Sequence, residues 1–158
     1  MDVRALLASA PATLRTSGDY ALADDLVATH SARRGDDQAL SHEGGHITIA
    51  GADADVHGVD ATMIGPVYRE AHGGGVVVPT GRALVRFADD DEARRHTDEL
   101  AAAGFDLEQP LSYAPQAAWV RASSGLITDT LRGLPSLERL PGVRHVEPQL
   151  ISEAARRG

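Results

Sequence analysis

Four histidines and several aspartates lie between His42 and His72. Asp53, Asp55, His57 and Asp60 are donor types that zinc or non-haem iron sites use. No HExxH or comparable spacing fixes a geometry, so a metal site here competes with a plain polar loop, and no metal ligand is assigned. Ser, His and Asp are also present, but a triad is recognised by geometry and not by composition. No GxSxG elbow occurs. The run Gly73-Gly74-Gly75 has no helix start behind it, so it reads as a linker and not as a phosphate cradle. No catalytic residue and no cofactor follow, and the chain is expected not to be an enzyme.

The elements that would position any site must be built from a modest core. The chain has 158 residues, 42% of them hydrophobic, enough for one core or two small ones. Aromatics make up only 4%, so that core must be largely Ala, Leu and Val. The net charge of −8 argues against a nucleic-acid partner, which needs a basic face, and against anionic membranes. Cysteine is absent, which excludes disulfides and thiol chemistry. No apolar run is long enough to span a bilayer. The opening MDVRALLASAPA has a single Arg4 offset by Asp2, and its apolar stretch is broken by Ser9 and Pro11. It reads as an amphipathic helix and not a signal peptide, which makes cytoplasm the default and leaves secretion open. Oligomeric state is not determined.

In residues 1–72, Val3, Leu6, Leu7 and Ala10 have helical spacing, as do Tyr20, Leu22, Leu26 and Val27. Arg33 to Gly45 is polar and reads as an exposed loop, and His46 to Ala50 alternates like a strand that stops at Gly51. This region is therefore expected to be mixed and mostly helical, with one or two strands. Residues 73–81 are expected to be a Gly-rich linker.

Residues 82–149 carry sharper signals. Arg82 to Phe87 is a strand candidate, followed by Asp89-Asp90-Asp91-Glu92, acids suited to the start of a helix. That helix would run to about Ala103, with Gly104 as its C′ residue. Phe105 to about Tyr113 forms a second strand interrupted by Pro110, and Ala117 to Ala122 a third. Ile127, Leu131 and Leu134 mark a second helix, which Pro135 breaks before one further turn to Leu140. Gly142 then releases Val143 to Glu147, a last strand that Pro148 stops, leaving 150–158 as a tail. The order β-α-β-β-α-β predicts an α+β chain with a C-terminal ferredoxin-like antiparallel sheet and two helices on one face.

Strand alternation puts Ala83, Val85 and Phe87 on the helix-covered face with Ala118, Val120 and Ala122. The other face then shows Leu84 and Arg86 beside Trp119 and Arg121. Either the N-terminal half covers this face, or it is a docking surface: an apolar patch with an arginine rim has the composition interfaces favour.

Three stretches, GRALVRFADDDEARRHTDELAAAG, YAPQAAWVRA and LPGVRHVEPQ, together resemble the propeptide domain of subtilisin-like serine proteases, over about Arg82 to Gln149. The last stretch is the most diagnostic, ending as such prodomains do in a GV-x-x-VEP strand. The resemblance implies an inhibitor and intramolecular chaperone that packs its open sheet face on the protease and lays its C-terminal tail in the active-site cleft. Carried over, it makes Leu150, Ile151, Ser152, Glu153 and Ala154 the cleft-binding residues and a subtilisin-like protease the partner. Leu84, Arg86, Trp119 and Arg121 join them as docking residues, from alternation alone. No sequence typical of the protease's own Asp, His and Ser is present, so a separated prodomain, a stand-alone inhibitor and a non-inhibitory adaptor that reuses the domain stay open. A small metal protein or enzyme using the His/Asp-rich half is the further alternative.

Overall fold

The computed structural model describes residues 3–16, 18–31, 40–42, 45–53, 56, 58–73 and 75–152. The expected fold class, a mostly helical N-terminal region followed by a four-stranded ferredoxin-like sheet, is corrected. The chain is mostly β, with few helices and a seven-stranded antiparallel sheet. It divides into two compact units, the first comprising residues up to Thr80 together with those from Leu150 on, the second Gly81–Gln149.

The first unit starts with a short helix, α1 (Val3–Ala8). Strands β1 (Thr13–Arg15), β2 (Asp19–Leu22) and β3 (Leu26–Ser31) follow. Next come β4 (Leu40–His42), β5 (Gly45–Gly51), β6 (Ile64–Gly65) and β7 (Tyr68–Glu70). The expected helix over Tyr20–Val27 is thus two strands joined by a turn. Its apolar spacing is ambiguous, because Tyr20 and Leu22 fit a period of two as well as a helix, and the β-branched Val27 and Thr29 tip the balance. One sheet has the order β4-β5-β3-β6. α1 covers it, with Leu7 packed against Val27 and Ile64. A second cluster gathers Ala23, Ala28, Ile47, Val67 and Val78. The buried Tyr68 donates its hydroxyl to the Pro11 carbonyl at 2.6 Å, and burial pushes its pKa well up.

The stretch expected as a linker is not one. Gly73 and Gly75 lie in the connection from β7 to β8 (Val76–Phe87), where the Glu70 N–H donates to the Gly75 carbonyl at 2.8 Å. β8 runs through 76–81 without a break and changes units at Thr80–Gly81. Strands order as β1-β2-β7-β8-β10-β9, with β11 also on β8, where β9 is Phe105–Leu111, β10 Ala114–Ala122 and β11 Val143–Ser152.

In the second unit, a 3-10 turn over Ala93–His96 leads into α2 (Thr97–Ala102), and α3 (Ile127–Arg132) and α4 (Leu134–Glu138) follow β10. The sheet residues Ala83, Val85, Phe87, Ala118 and Val120 bury against Ala93, Leu100 and Leu137 from these helical segments. Within β8, Gly81 takes φ +94°, and a Cβ there would lie 2.7 Å from Arg121 Nη1 and 3.1 Å from Ile127 Cγ1. Its carbonyl accepts from the buried Thr130 hydroxyl at 2.8 Å, and that same oxygen accepts from the Ala122 N–H at 3.0 Å. One side chain on α3 therefore satisfies buried backbone groups on both β8 and β10. Thr130→Val should cost about 1–3 kcal/mol by leaving them unpaired, while Thr130→Ser keeps most of the stability. Urea unfolding of both variants checks this.

His96 is held between two carboxylates, its Nε2 2.7 Å from Asp91 and its Nδ1 2.8 Å from Glu99, and its ring stacks on Phe87 at 4.0 Å. Only the imidazolium donates from both nitrogens. Partial burial opposes the charge, but the hydrogen bonds to Glu99 and Asp91 outweigh it and raise the pKa above the ordinary 6.5. The folded pKa lies above the unfolded one, so this stabilisation is complete below pH 6.5 and is lost as pH rises through the folded value. Unfolding free energy measured across that range should fall with pH in the wild type and lose this component in His96→Gln.

Candidate partner-binding face

β8 and β10 pair antiparallel, with Trp119 opposite Leu84, Arg121 opposite Arg82 and Ala117 opposite Arg86. Because Ala83, Val85, Ala118 and Val120 face the helices, these residues stand on the helix-free face of the second unit. Four expected residues, Leu84, Arg86, Trp119 and Arg121, are thus brought together. Leu84, Trp119 and Arg121 are half-buried and Arg86 is exposed.

Three further residues complete the cluster. The Arg82 guanidinium lies 4.9 Å from the Trp119 ring centroid, a cation–π contact that fixes the indole. Glu108 from β9 joins the two arginines, 3.0 Å from Arg82 Nε and 2.8 Å from Arg121 Nε. Arg82 also donates to the Gln109 side chain at 3.3 Å. Arg82 is legible from alternation, since it is two residues from Leu84. Glu108 and Gln109 are not, because the β9–β10 register shifts between Trp119 and Val120 and changes which β9 residues oppose the indole.

Three of the expected tail residues, Leu150, Ile151 and Ser152, lie in a strand. Pro148 does not stop β11, which continues to Ser152 with Pro148 buried. β11 pairs with β8 alone among the described strands, and proline costs a strand only an N–H that an open edge leaves without a partner anyway. Leu150 and Ser152 are half-buried, and Ile151 packs against the cluster of Ala23, Ala28, Ile47, Val67 and Val78. Leu150, Ile151 and Ser152 are therefore strand residues and not a free tail. Glu153 and Ala154 lie outside the described residues.

Of the four metal candidates, only Asp53 and Asp60 are among the described residues. Asp60 caps a 3-10 turn at Ala61–Met63, accepting from the Thr62 N–H at 2.9 Å and the Thr62 hydroxyl at 2.8 Å, and these bonds hold its carboxyl below the usual range. Asp53 is exposed, and Asp55 and His57 lie outside the described residues. Among the described residues no group of three His, Asp or Glu is placed to hold a metal ion, and no described helix is long and apolar enough to cross a membrane.

No known family, curated protein or solved structure shows significant similarity to this chain.

The placement of Ile151 has a direct consequence. Ile151→Ala should lower stability by about 1–2 kcal/mol, the cost of removing a half-buried aliphatic group from a core, where a loose tail residue would cost nothing measurable. Thermal or urea unfolding distinguishes the two.

Proposed function

We propose that this chain is a protein-binding module of the subtilase-prodomain kind. It docks on a subtilisin-like serine protease through the helix-free face of its second unit and acts as folding assistant and inhibitor. The carrying observation is the Leu84–Trp119 cross-strand pair, with its indole held in place by Arg82 and set among arginines. A fixed aromatic on a strand face loses little conformational freedom on binding, which is why such residues dominate interface energetics. A partner that binds the native protease and not the unfolded chain shifts that protease toward its folded state. The resemblance of residues 82–149 to such prodomains supplies the class of partner.

A second reading, a non-inhibitory adaptor, is favoured by one observation. Leu150 to Ser152 belong to β11, with Ile151 in a core, so these residues are not available to lie in a cleft.

The test is refolding of a subtilisin catalytic domain that lacks its own prodomain, with and without this protein, followed by an activity assay. The expected outcome is higher recovery of folded protease and inhibition of its activity. Trp119→Ala should weaken binding about thirtyfold or more, the effect of losing an interface anchor worth about 2 kcal/mol. Deleting 153–158 separates the readings, since it abolishes inhibition for an inhibitor and leaves binding intact for an adaptor. If the protein changes neither recovery nor activity, the protease reading is wrong.

A further inference from the structure

The charged groups that β8, β9 and β10 place on the helix-free face find partners within the unit, with one exception. Arg82 and Arg121 share Glu108. Asp106, opposite Arg121, accepts from the Ser123 hydroxyl at 2.9 Å. On β11, His145 and Glu147 lie 3.3 Å apart. Arg86 is exposed and makes no ion pair among the described residues. It stands two positions along β8 from Leu84, on the same face as the Leu84–Trp119 pair.

This division of labour gives the face a chemistry. Arg82 lies against Trp119 and shares Glu108 with Arg121, so these two arginines form the platform and not the reader. The remaining cation of these three strands, Arg86, lies at the edge of an apolar step. A partner that buries an apolar group on Leu84 and Trp119 places its neighbouring side chain beside Arg86, where a carboxylate forms a charge-assisted pair and a cation is repelled. We infer that the face recognises its partner through an acidic side chain set next to an apolar one, the carboxylate meeting Arg86 and the apolar group meeting Leu84 and Trp119. This rests on the docking face of the proposed function and adds the chemistry of the surface it selects.

Trp119 is the sole tryptophan, so its emission reports on the face directly. The full-length protein is titrated with the blocked tetrapeptide Leu-Glu-Leu-Glu and, separately, with Leu-Lys-Leu-Lys. The acidic peptide should give a saturable emission change with a midpoint about threefold or more lower than that of the basic peptide, the range one exposed ion pair supplies. That preference should fade as salt is raised. Arg86→Gln should abolish the preference and Arg86→Glu should reverse it, with far-UV circular dichroism verifying that both variants stay folded. Equal responses to the two peptides, no response to either, or an unchanged preference in Arg86→Glu would overturn the inference. Protease refolding does not enter this readout. A protein that leaves the protease unaffected but keeps the peptide preference loses its assigned partner and retains this recognition.

Discussion

The Thr130 hydroxyl holds the second unit together at its least regular point. β8 changes course at Gly81, whose positive φ breaks the strand's regular geometry and leaves a buried carbonyl to satisfy. Thr130 donates to that carbonyl and accepts from the Ala122 N–H at the end of β10. The helix, the bent strand and its neighbour are thereby joined through one oxygen. A buried backbone group without a partner costs more than the net gain of an ordinary hydrogen bond, so this contact constrains the local register strongly. With Arg82 next to Gly81 and Arg121 next to Ala122, the same pin sets the rows from which the helix-free face is built.

That face follows from the register by simple alternation. Once Ala83, Val85, Ala118 and Val120 are committed to the helices, Leu84 and Trp119 must stand on the other side. Glu108 then links two guanidiniums that would otherwise repel each other across the strand pair, and Arg82 lies against the indole. These contacts are partly exposed, so each adds little to stability, and their effect is to hold Trp119 in one orientation. On the proposed function, affinity comes from this prior arrangement more than from buried area.

The resemblance to protease prodomains bears differently on the two parts of the surface. Leu84, Arg86, Trp119 and Arg121 do share the helix-free face of the second unit. Leu150, Ile151 and Ser152 do not keep the course expected of the tail, because β11 continues past Pro148 and Ile151 packs with the cluster that holds Val78 and Val67. Residues that resemble a terminal extension are instead structural elements of the first unit.

Much of the second unit was legible from residue order. The strands at Arg82–Phe87 and Ala117–Ala122, the acids before α2 and Gly104 after it carry strong local signals, and their faces follow from a period of two. The first unit was not legible to the same degree. Tyr20 to Val27 fits two periods, and pairing between β2, β3 and strands distant in sequence selected extension over helix. The Gly73-Gly74-Gly75 run signals a break in regular structure, but composition does not say whether a break is a hairpin or a boundary. The pairing of Tyr68 with Val77 makes β7 and β8 a hairpin.

By itself, the sequence determined which residues of the second unit face the helices and which face away, because alternation and turn signals are local properties of the chain. Only the tertiary structure decided that Glu108 meets both arginines, that β8 continues through Gly81, and that Ile151 belongs to a core. Each of these depends on a partner far away in sequence: the shifted register of β9, a hydroxyl on α3, and an apolar cluster drawn from four segments of the first unit. Long-range pairing leaves little local trace, because the residues that supply the energy are not neighbours of the residues they fix.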